Sequence, residues 1–338
     1  MTAPACDLST SYLGLELRSP LVPSASPLGR DLDTLKRLEE AGAGAVVLPS
    51  LFEEQIEHEE FELHRLLSSG TDSFGEALSY FPELADYRTG PDDYLEHVAA
   101  AKAALSIPVI ASLNGVTPGG WTRFARLLAE AGADAIELND YQVAADPMLG
   151  AAVVEAGVLD LVRAVRAEVT VPLAVKLGPH FSSFSHLAAQ LVDVGADGLV
   201  LFNRFVQPDI DLETFEVRAR VQLSTPDELL LPLRWIALLH GRLDCSLAGT
   251  SGVHSSLDAL KLIAAGADVA MSASALLRHG PGHLAELLGG MATWLDEHEY
   301  VSVAQLRGSM SQASCPDPAA FERAGYMQAL VSYTPRRG

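Results

Sequence analysis

Four segments of the chain repeat one pattern of polar and apolar positions. Each starts with the end of an amphipathic helix, passes through a glycine and finishes in a short apolar run. The segments are "EAGAGAVVLPS" at 40, "EAGADAIELND" at 130, "DVGADGLVLFN" at 193 and "AAGADVAMSAS" at 264. A helix that stops at glycine before a buried strand is typical of parallel α/β folds. The pattern therefore predicts four helix–strand units.

Four further apolar runs lie between these units: "SPLVPSAS", "IPVIASLNG", "VPLAVKLGP" and "LDCSLAGTSG". Helical patterns such as "DLDTLKRLEEAG", "GWTRFARLLAEAG" and "FSHLAAQLVDVG" separate consecutive strands. Eight strands that alternate with helices over roughly 250 residues favour a (β/α)8 TIM barrel, although an open doubly wound sheet would give the same local pattern. We therefore predict an α/β protein with the barrel architecture.

The remaining segments predict additions to this barrel. Residues 9–17, "STSYLGLEL", read as an N-terminal hairpin that plugs the barrel bottom. Long loops follow barrel strands 2 and 6, at 52–91 and 205–231, and such loops commonly cover an active site. We divide the chain into a barrel, residues 1–296, and a C-terminal tail, residues 297–338, packed on it.

Composition and charge exclude several classes of protein. The chain has 338 residues and a net charge of -21, with 44 acidic against 23 basic side chains, which opposes binding to nucleic acid or anionic membranes. The three cysteines are widely spaced, and no apolar run is long enough to span a membrane. We expect a cytoplasmic protein without a membrane segment. The histidines show no HExxH spacing, so we predict no metal site.

Polar residues end several of the predicted strands, where a barrel collects its chemistry. Lys176 ends "PLAVKLGP", so its ammonium is aimed into the barrel mouth. A cation there can stabilise an anionic ligand or the negative charge of a reduced flavin. The alternative is a salt bridge inside the barrel with Glu137 on the neighbouring strand. The other candidates at strand ends are Ser24, Ala25, Ser50, Asn114, Asn139 and Asn203.

The last two strands end in turns rich in small residues. The first turn contains Gly249, Ser251 and Gly252, and the second contains Ala273 and Ser274. Small residues let a ligand approach the backbone, and N–H groups together with a helix N-terminus form an anion site. The pair of turns predicts a phosphorylated ligand, with tight turns of no binding role as the alternative.

Several of these motifs together resemble the dihydroorotate dehydrogenase family, especially its soluble class 1 members. The motifs are "LSTSYLGLELRSPLVPSASP", "IELN", "PLAVKLGP", "LVLFNRF" and the two small-residue turns, and the similarity covers residues 8–290. The resemblance implies an FMN-dependent oxidoreductase of pyrimidine biosynthesis that transfers a hydride between a small substrate and flavin N5. It also implies a homodimer.

The resemblance assigns roles to individual positions. Ser24 and Ala25 match the turn that lines the flavin, and Lys176 matches the lysine that contacts the isoalloxazine ring. Asn139 and Asn203 match asparagines at the flavin and substrate face. Gly252, Ala273 and Ser274 match the phosphate turns. The predicted catalytic set is Lys176, Asn139, Asn203 and Tyr141.

Three positions depart from the family pattern. The segment after Asn139 should carry a Ser or Cys general base and then an asparagine, and here these positions are Gln142 and Ala144. Glutamine cannot accept a proton as a base. The family's lysine on the second strand is replaced at Pro49. Positions that support the flavin are therefore largely kept, and positions that support dihydroorotate are largely lost.

Three hypotheses follow from this divergence. In the first, Tyr141, Asp140 or His180 replaces the missing base. In the second, the flavin relays electrons to a protein partner, such as an iron–sulfur subunit, and needs no base. In the third, the barrel binds a sugar phosphate without flavin and acts as a synthase. Arg204 bears on the choice, since it either faces an anionic substrate or pairs with Asp209 or Asp211.

Overall fold

The computed structural model describes residues 6–56, 90–119, 122–205, 207–219, 222–318, 322, 330 and 331. Eight parallel strands form its centre, and each of them falls on one of the eight predicted apolar runs. They are β3 (Leu21–Pro23), β4 (Val46–Phe52), β5 (Val109–Asn114), β6 (Ala135–Asn139), β7 (Leu173–Leu177), β8 (Gly198–Leu201), β11 (Ser246–Gly249) and β12 (Val269–Ser272).

The order of these strands closes the sheet on itself. Neighbours follow the sequence β3-β12-β11-β8-β7-β6-β5-β4, and every pair is parallel. At the seam, the Gly44 N–H, just before β4, donates to the Leu21 carbonyl of β3 at 2.9 Å. The predicted (β/α)8 barrel is confirmed.

Helices surround the barrel and bury their apolar faces against it. In α1 (Leu32–Glu40), Asp31 caps the N-terminus by accepting from the Thr34 N–H, and Leu35 and Leu38 face the core. The remaining helices are α2 (Pro91–Ala104), α3 (Arg123–Glu130), α4 (Ala151–Glu168), α5 (Phe184–Asp193), α6 (Leu230–Leu239), α7 (Ser256–Ala265), α8 (Ser274–His279), α9 (His283–Glu297) and α10 (Val303–Leu306).

Side chains along each barrel strand alternate between the helix layer and the barrel interior. On β6, Ile136 and Leu138 pack in the outer core, whereas Ala135 belongs to the inner one. The bottom of the interior is apolar and is filled from below by the predicted hairpin, β1 (Thr10–Tyr12) with β2 (Leu15–Leu17). Towards the carboxyl ends of the strands the interior becomes polar, and this polar layer is the floor of the mouth.

The long loops and the tail agree in part with the sequence predictions. The loop after β8 folds into a second hairpin, β9 (Pro208–Asp211) with β10 (Glu216–Ala219). The long loop after β4 begins with a helical turn at Glu53, and most of the loop lies outside the described residues. Past α9, the Gly308 and Met310 N–H groups donate to carbonyls at the end of α7. The domain division at residue 296 stays a prediction. In the part of the chain that the structure describes, no helix is long and apolar enough to cross a membrane.

Candidate active site

The carboxyl ends of the barrel strands line an open cavity of about 120 Å³. Residues from the loops after β3, β6, β8, β11 and β12 form its wall, together with Lys176 of β7. Most of the positions selected from the sequence lie on this wall. They are Ser24, Ala25, Tyr141, Lys176, Ser251, Gly252, Ala273 and Ser274.

The other selected positions lie at or near the carboxyl ends of barrel strands but do not line this cavity. They are Ser50, Asn114, Asn139, Asn203 and Gly249. A Cβ added at Gly249 would meet Leu262 and Ile236 at 2.7 and 2.9 Å. The Cβ position of Gly249 therefore faces the helix layer, as β-strand alternation requires, and its predicted backbone contact with a cofactor stays a prediction.

Lys176 is buried and held in place by two partners. Its Nζ donates to Ser24 Oγ at 3.2 Å and lies 3.4 Å from Glu137 Oε1. The predicted salt bridge with Glu137 is therefore present, and the same lysine also lines the cavity; its contact with a ligand stays a prediction. Fixed at a strand end, the ammonium presents a positive charge to whatever occupies the mouth.

Asn203 is a buried amide with one free end. Its Nδ2 donates to the carbonyls of Asp140 and Lys176, at 2.7 and 3.2 Å, which fixes the amide orientation. Within the described residues its Oδ1 has no hydrogen-bond partner. Buried polar atoms are seldom left unpaired, so this oxygen is available to accept a hydrogen bond from a ligand.

Asn139, in contrast, is engaged by neighbouring strands. Its Nδ2 donates to Ser112 Oγ at 2.7 Å and to Ser50 Oγ at 3.2 Å. The two hydroxyls lie 2.8 Å apart, and the Tyr94 hydroxyl accepts from the Ser112 N–H at 3.1 Å. This network of Ser50, Ser112 and Asn139 occupies the β4–β6 side of the mouth. Sequence reasoning missed Ser112, although it is a polar residue two positions before the predicted strand end.

The two small-residue turns supply backbone donors. Ser251 and Gly252 both have φ of +75°, and none of the described residues accepts a hydrogen bond from either N–H group. At the α7 N-terminus, Ser255 and Asp258 form a capping box, and the Asp258 carboxylate accepts from the Ser255 N–H at 2.9 Å. The capping box satisfies part of this helix end, and its predicted contribution to an anion site stays a prediction.

The three proposed replacement bases differ in environment. Asp140 is buried, and its Oδ1 accepts from the Gln142 N–H at 3.1 Å, while burial raises the pKa of its carboxyl group. Tyr141 lines the cavity and packs edge-on against Phe205 with ring centroids 5.3 Å apart. His180 lies 6.2 Å from the same Phe205 ring, and Ser183, not His180, occupies the N-cap of α5. Tyr141 is the one of the three on the cavity wall.

Arg204 also lies on the wall, but its partner is not one of the predicted aspartates. Its guanidinium binds the Glu228 carboxylate with two contacts, at 2.5 and 3.3 Å, and also donates to the Gln222 carbonyl. The predicted pairing with Asp209 or Asp211 is wrong, because the loop returns at Glu228 beside β8 while Asp211 pairs with Arg218.

Comparison with known proteins agrees with this geometry. The family model described as "Dihydroorotate dehydrogenase" matches residues 8–295. The chain belongs to the dihydroorotate dehydrogenase family. It is 26% identical over 314 residues to the dihydroorotate dehydrogenase B (NAD(+)) catalytic subunit of Thermoplasma volcanium, covering 89% of this chain and 98% of the relative.

Two other relatives give the same result. The dihydroorotate dehydrogenase B (NAD(+)) catalytic subunit of Methanocella arvoryzae is 29% identical, over 84% of this chain and 91% of its own. A putative dihydroorotate dehydrogenase A (fumarate) of Aeropyrum pernix is 27% identical, over 91% and 98%. Because dehydrogenases are oxidoreductases, this family membership places the chain among the oxidoreductases.

The positions at which this member departs from the dihydroorotate dehydrogenase pattern lie on one side of the mouth. Gln142 stands where the resemblance implies a Ser or Cys base, in an exposed stretch after β6. Pro49 lies inside β4, where pairing with β5 shifts register between Val47 and Ser50. A proline has no N–H to donate, which accounts for the interruption of the ladder.

Cysteines and possible metal ligands do not contribute to this cavity. Burial raises the pKa of the Cys245 thiol to about 12, so this side chain remains a neutral thiol just before β11. Across the described ranges, no group of three His, Cys, Asp or Glu side chains is arranged to hold a metal ion.

Proposed function

We propose that this protein binds FMN in the barrel mouth and transfers a hydride between the flavin and a small substrate. The residues present fit such a ligand at both ends. The unpaired N–H groups of Ser251 and Gly252, with Ala273 and Ser274 opposite, suit the phosphate. The Lys176 ammonium on the cavity wall suits the ring.

Lys176 would lie against the ring of the bound cofactor. Bound FMN would supply hydride chemistry at N5, and reduction leaves the ring with additional negative charge. The Lys176 ammonium, fixed by Ser24 and Glu137, stabilises that charge without having to reorganise. This fixed cation on the cavity wall is the observation that carries the proposal.

Tyr141 is the proposed proton-transfer group. Burial and then the charge of Glu137 raise the pKa of its phenol, while Arg204 opposes the shift. The phenol therefore keeps its proton at neutral pH and is a better donor than acceptor. We propose that Tyr141 Oη gives a proton to the substrate when the flavin, reduced beforehand by a separate electron donor, would supply the hydride, and that the phenolate then regains a proton from water. This direction needs no Ser or Cys at position 142.

The relatives named dihydroorotate dehydrogenase make dihydroorotate the first substrate to test. The purified protein is expected to be yellow and to release FMN on denaturation, identified by mass. Mixing with dihydroorotate under anaerobic conditions then reports whether the flavin is reduced. Bleaching would establish that the protein oxidises dihydroorotate. A flavin that stays unbleached would mean that the substrate is a different compound. A colourless protein would contradict the FMN proposal and favour a phosphate-binding synthase.

A second candidate function is electron relay to a protein partner. Two of the relatives above are named catalytic subunits, and in this chain large apolar side chains are exposed beside the mouth. Met148 in the loop after β6 is 86% exposed, and Phe215 in the β9–β10 hairpin is 87% exposed. Exposed apolar side chains in loops at the carboxyl ends of the strands suit a protein contact. Light scattering would separate a homodimer from a monomer, and co-purification of an iron–sulfur or flavin subunit would support the relay.

A further inference from the structure

Glu137 is a fully buried carboxylate directly behind Lys176. It lies on β6, paired in register with Ala174 of β7, one interior layer below Asn139 and Lys176. Its exposure is 0%, and it does not line the cavity. Burying a carboxylate in a barrel interior costs desolvation free energy, so the presence of Glu137 at this position calls for a reason other than filling space.

The contacts of Glu137 are incomplete. Oε1 lies 3.4 Å from both Lys176 Nζ and Asn139 Nδ2. Oε2 has no partner among the described residues. Below it, the hydroxyl of buried Tyr12 is also unpaired, and Glu137 contributes to the raised pKa of that phenol. A buried ion pair contributes to stability mainly when its remaining lone pairs are satisfied, so this pair is a poor device for stability alone.

The position of Glu137 determines the charge that reaches the cavity. Lys176 presents an ammonium to the bound ligand, and Glu137 places a carboxylate 3.4 Å behind it. Opposite charges at this separation largely cancel at a distance, and the low dielectric of the interior preserves the effect. A ligand in the mouth therefore faces a weakened cation.

We propose that Glu137 is a positioning residue that lowers the reduction potential of the bound flavin by partly neutralising Lys176. The inference rests on the proposed function, because it concerns the same lysine and the same cofactor. A bare ammonium would favour the anionic reduced flavin, and the carboxylate behind it withdraws part of that stabilisation.

The test compares Glu137→Gln with the unmutated protein, both loaded with FMN. Glutamine keeps the shape and an acceptor for Lys176 but removes the negative charge. The midpoint potential is measured by dye-linked titration, and sulfite affinity is measured from flavin bleaching, because sulfite binds more tightly to flavins that face positive charge. We expect sulfite to bind more tightly to the variant, and the equilibrium for two-electron reduction of the flavin to shift about tenfold towards the reduced form. That shift in the reduction equilibrium is a rise of about 30 mV in midpoint potential.

Two further variants make the result specific. Tyr12→Phe removes the neighbouring buried hydroxyl without changing charge and should leave the potential unchanged. Glu137→Asp keeps the charge but withdraws it from Lys176, so we expect a smaller rise of the same sign. This variant decides the question if the Gln variant does not retain FMN.

The outcomes separate the inference from the function beneath it. An unmutated protein that binds no FMN overturns the proposed function, and the inference falls with it. Flavin-loaded Gln and Asp variants whose potentials and sulfite affinities equal those of the unmutated protein overturn the inference alone. A fall in potential in either variant also overturns it.

Discussion

The two halves of the barrel mouth are built differently. On the β7–β12 side, the Lys176 ammonium and the turn of Ser251 and Gly252 point donors into the cavity. On the β4–β6 side, Ser50, Ser112 and Asn139 bind one another. The first side therefore presents donors on the cavity wall, whereas Ser50, Ser112 and Asn139 on the second side are paired with one another.

This difference coincides with where the chain keeps and loses the family pattern. By the resemblance, Lys176 and the small-residue turns match flavin positions on the first side, and Asn139 matches one on the second, where Pro49 and Gln142 replace residues that support the substrate. We infer that changes on the β4–β6 side affect substrate choice more than cofactor binding, because the cavity wall lies mainly on the other side. The proposed mechanism needs the first half intact and allows the second to change.

The largest effect on stability is expected at the ion pair of Lys176 and Glu137. Lys176→Met removes the ammonium and leaves Glu137 buried without a countercharge, which should cost roughly 3–5 kcal/mol of unfolding free energy. FMN reduction should also slow, because charge on the reduced ring loses its partner. Urea denaturation and stopped-flow absorbance measure the two effects.

Lys102 offers a matched control on the outside of the barrel. It lies 2.6 Å from Asp134 and its side chain is 41% exposed, so Lys102→Met should cost no more than about 1 kcal/mol. Adding Glu137→Gln to Lys176→Met should recover most of the lost stability. Equal losses at positions 176 and 102 would contradict the assignment of a buried, functional pair.

The next largest effect is expected in the turn of Ser251 and Gly252, the proposed phosphate site. Gly252 has a φ of +75°, and a Cβ there would overlap the backbone nitrogen of Leu229. Gly252→Ala should therefore cost at least about 2 kcal/mol and weaken FMN binding, because the turn must move. FMN fluorescence titration and thermal unfolding report the two losses. Gly289→Ala, in the middle of α9 with open space around it, should be neutral or slightly stabilising and leave FMN content unchanged.

A smaller effect is expected from the other half of the mouth. Ser112→Ala removes the acceptor nearest to the Asn139 amide and should cost about 1–2 kcal/mol. Because this network does not line the cavity, FMN content should stay the same. Loss of FMN from this variant would show that the two halves are not independent.

The sequence was enough to locate the strands, but it did not show which side chains far apart along the chain pair with one another. Hydrophobic periodicity is local, so β6 and its terminal Asn139 could be read from "AIELN". Ser112 lies 27 residues from Asn139, and Glu228 lies 24 residues from Arg204. Such pairs depend on strand register and loop path, which one sequence does not fix. The outward orientation of Gly249 followed from alternation and was available without the structure.

The smallest expected effect is on the pH dependence of stability, through His254 on the β7–β12 side of the mouth. Burial, followed by the charge of Arg278, lowers the pKa of His254, while Asp258 and Glu228 oppose the shift. Since the unfolded chain binds this proton more readily, the contribution of His254 to stability is present above its ordinary value of 6.5 and is lost as pH falls through the folded value.

The same histidine is linked to the cavity wall through Ser224. His254 Nε2 lies 3.0 Å from Ser224 Oγ, and the Ser224 N–H donates to Ser274 Oγ at 2.9 Å. His254→Gln should therefore flatten the decline in Tm between pH 7.5 and pH 5 while changing Tm little at pH 7.5. A parallel pH profile in both proteins would assign the acid sensitivity to other groups. A steeper decline in the variant would mean that the His254 pKa is raised in the folded state, as expected if phosphate bound nearby draws a proton to it.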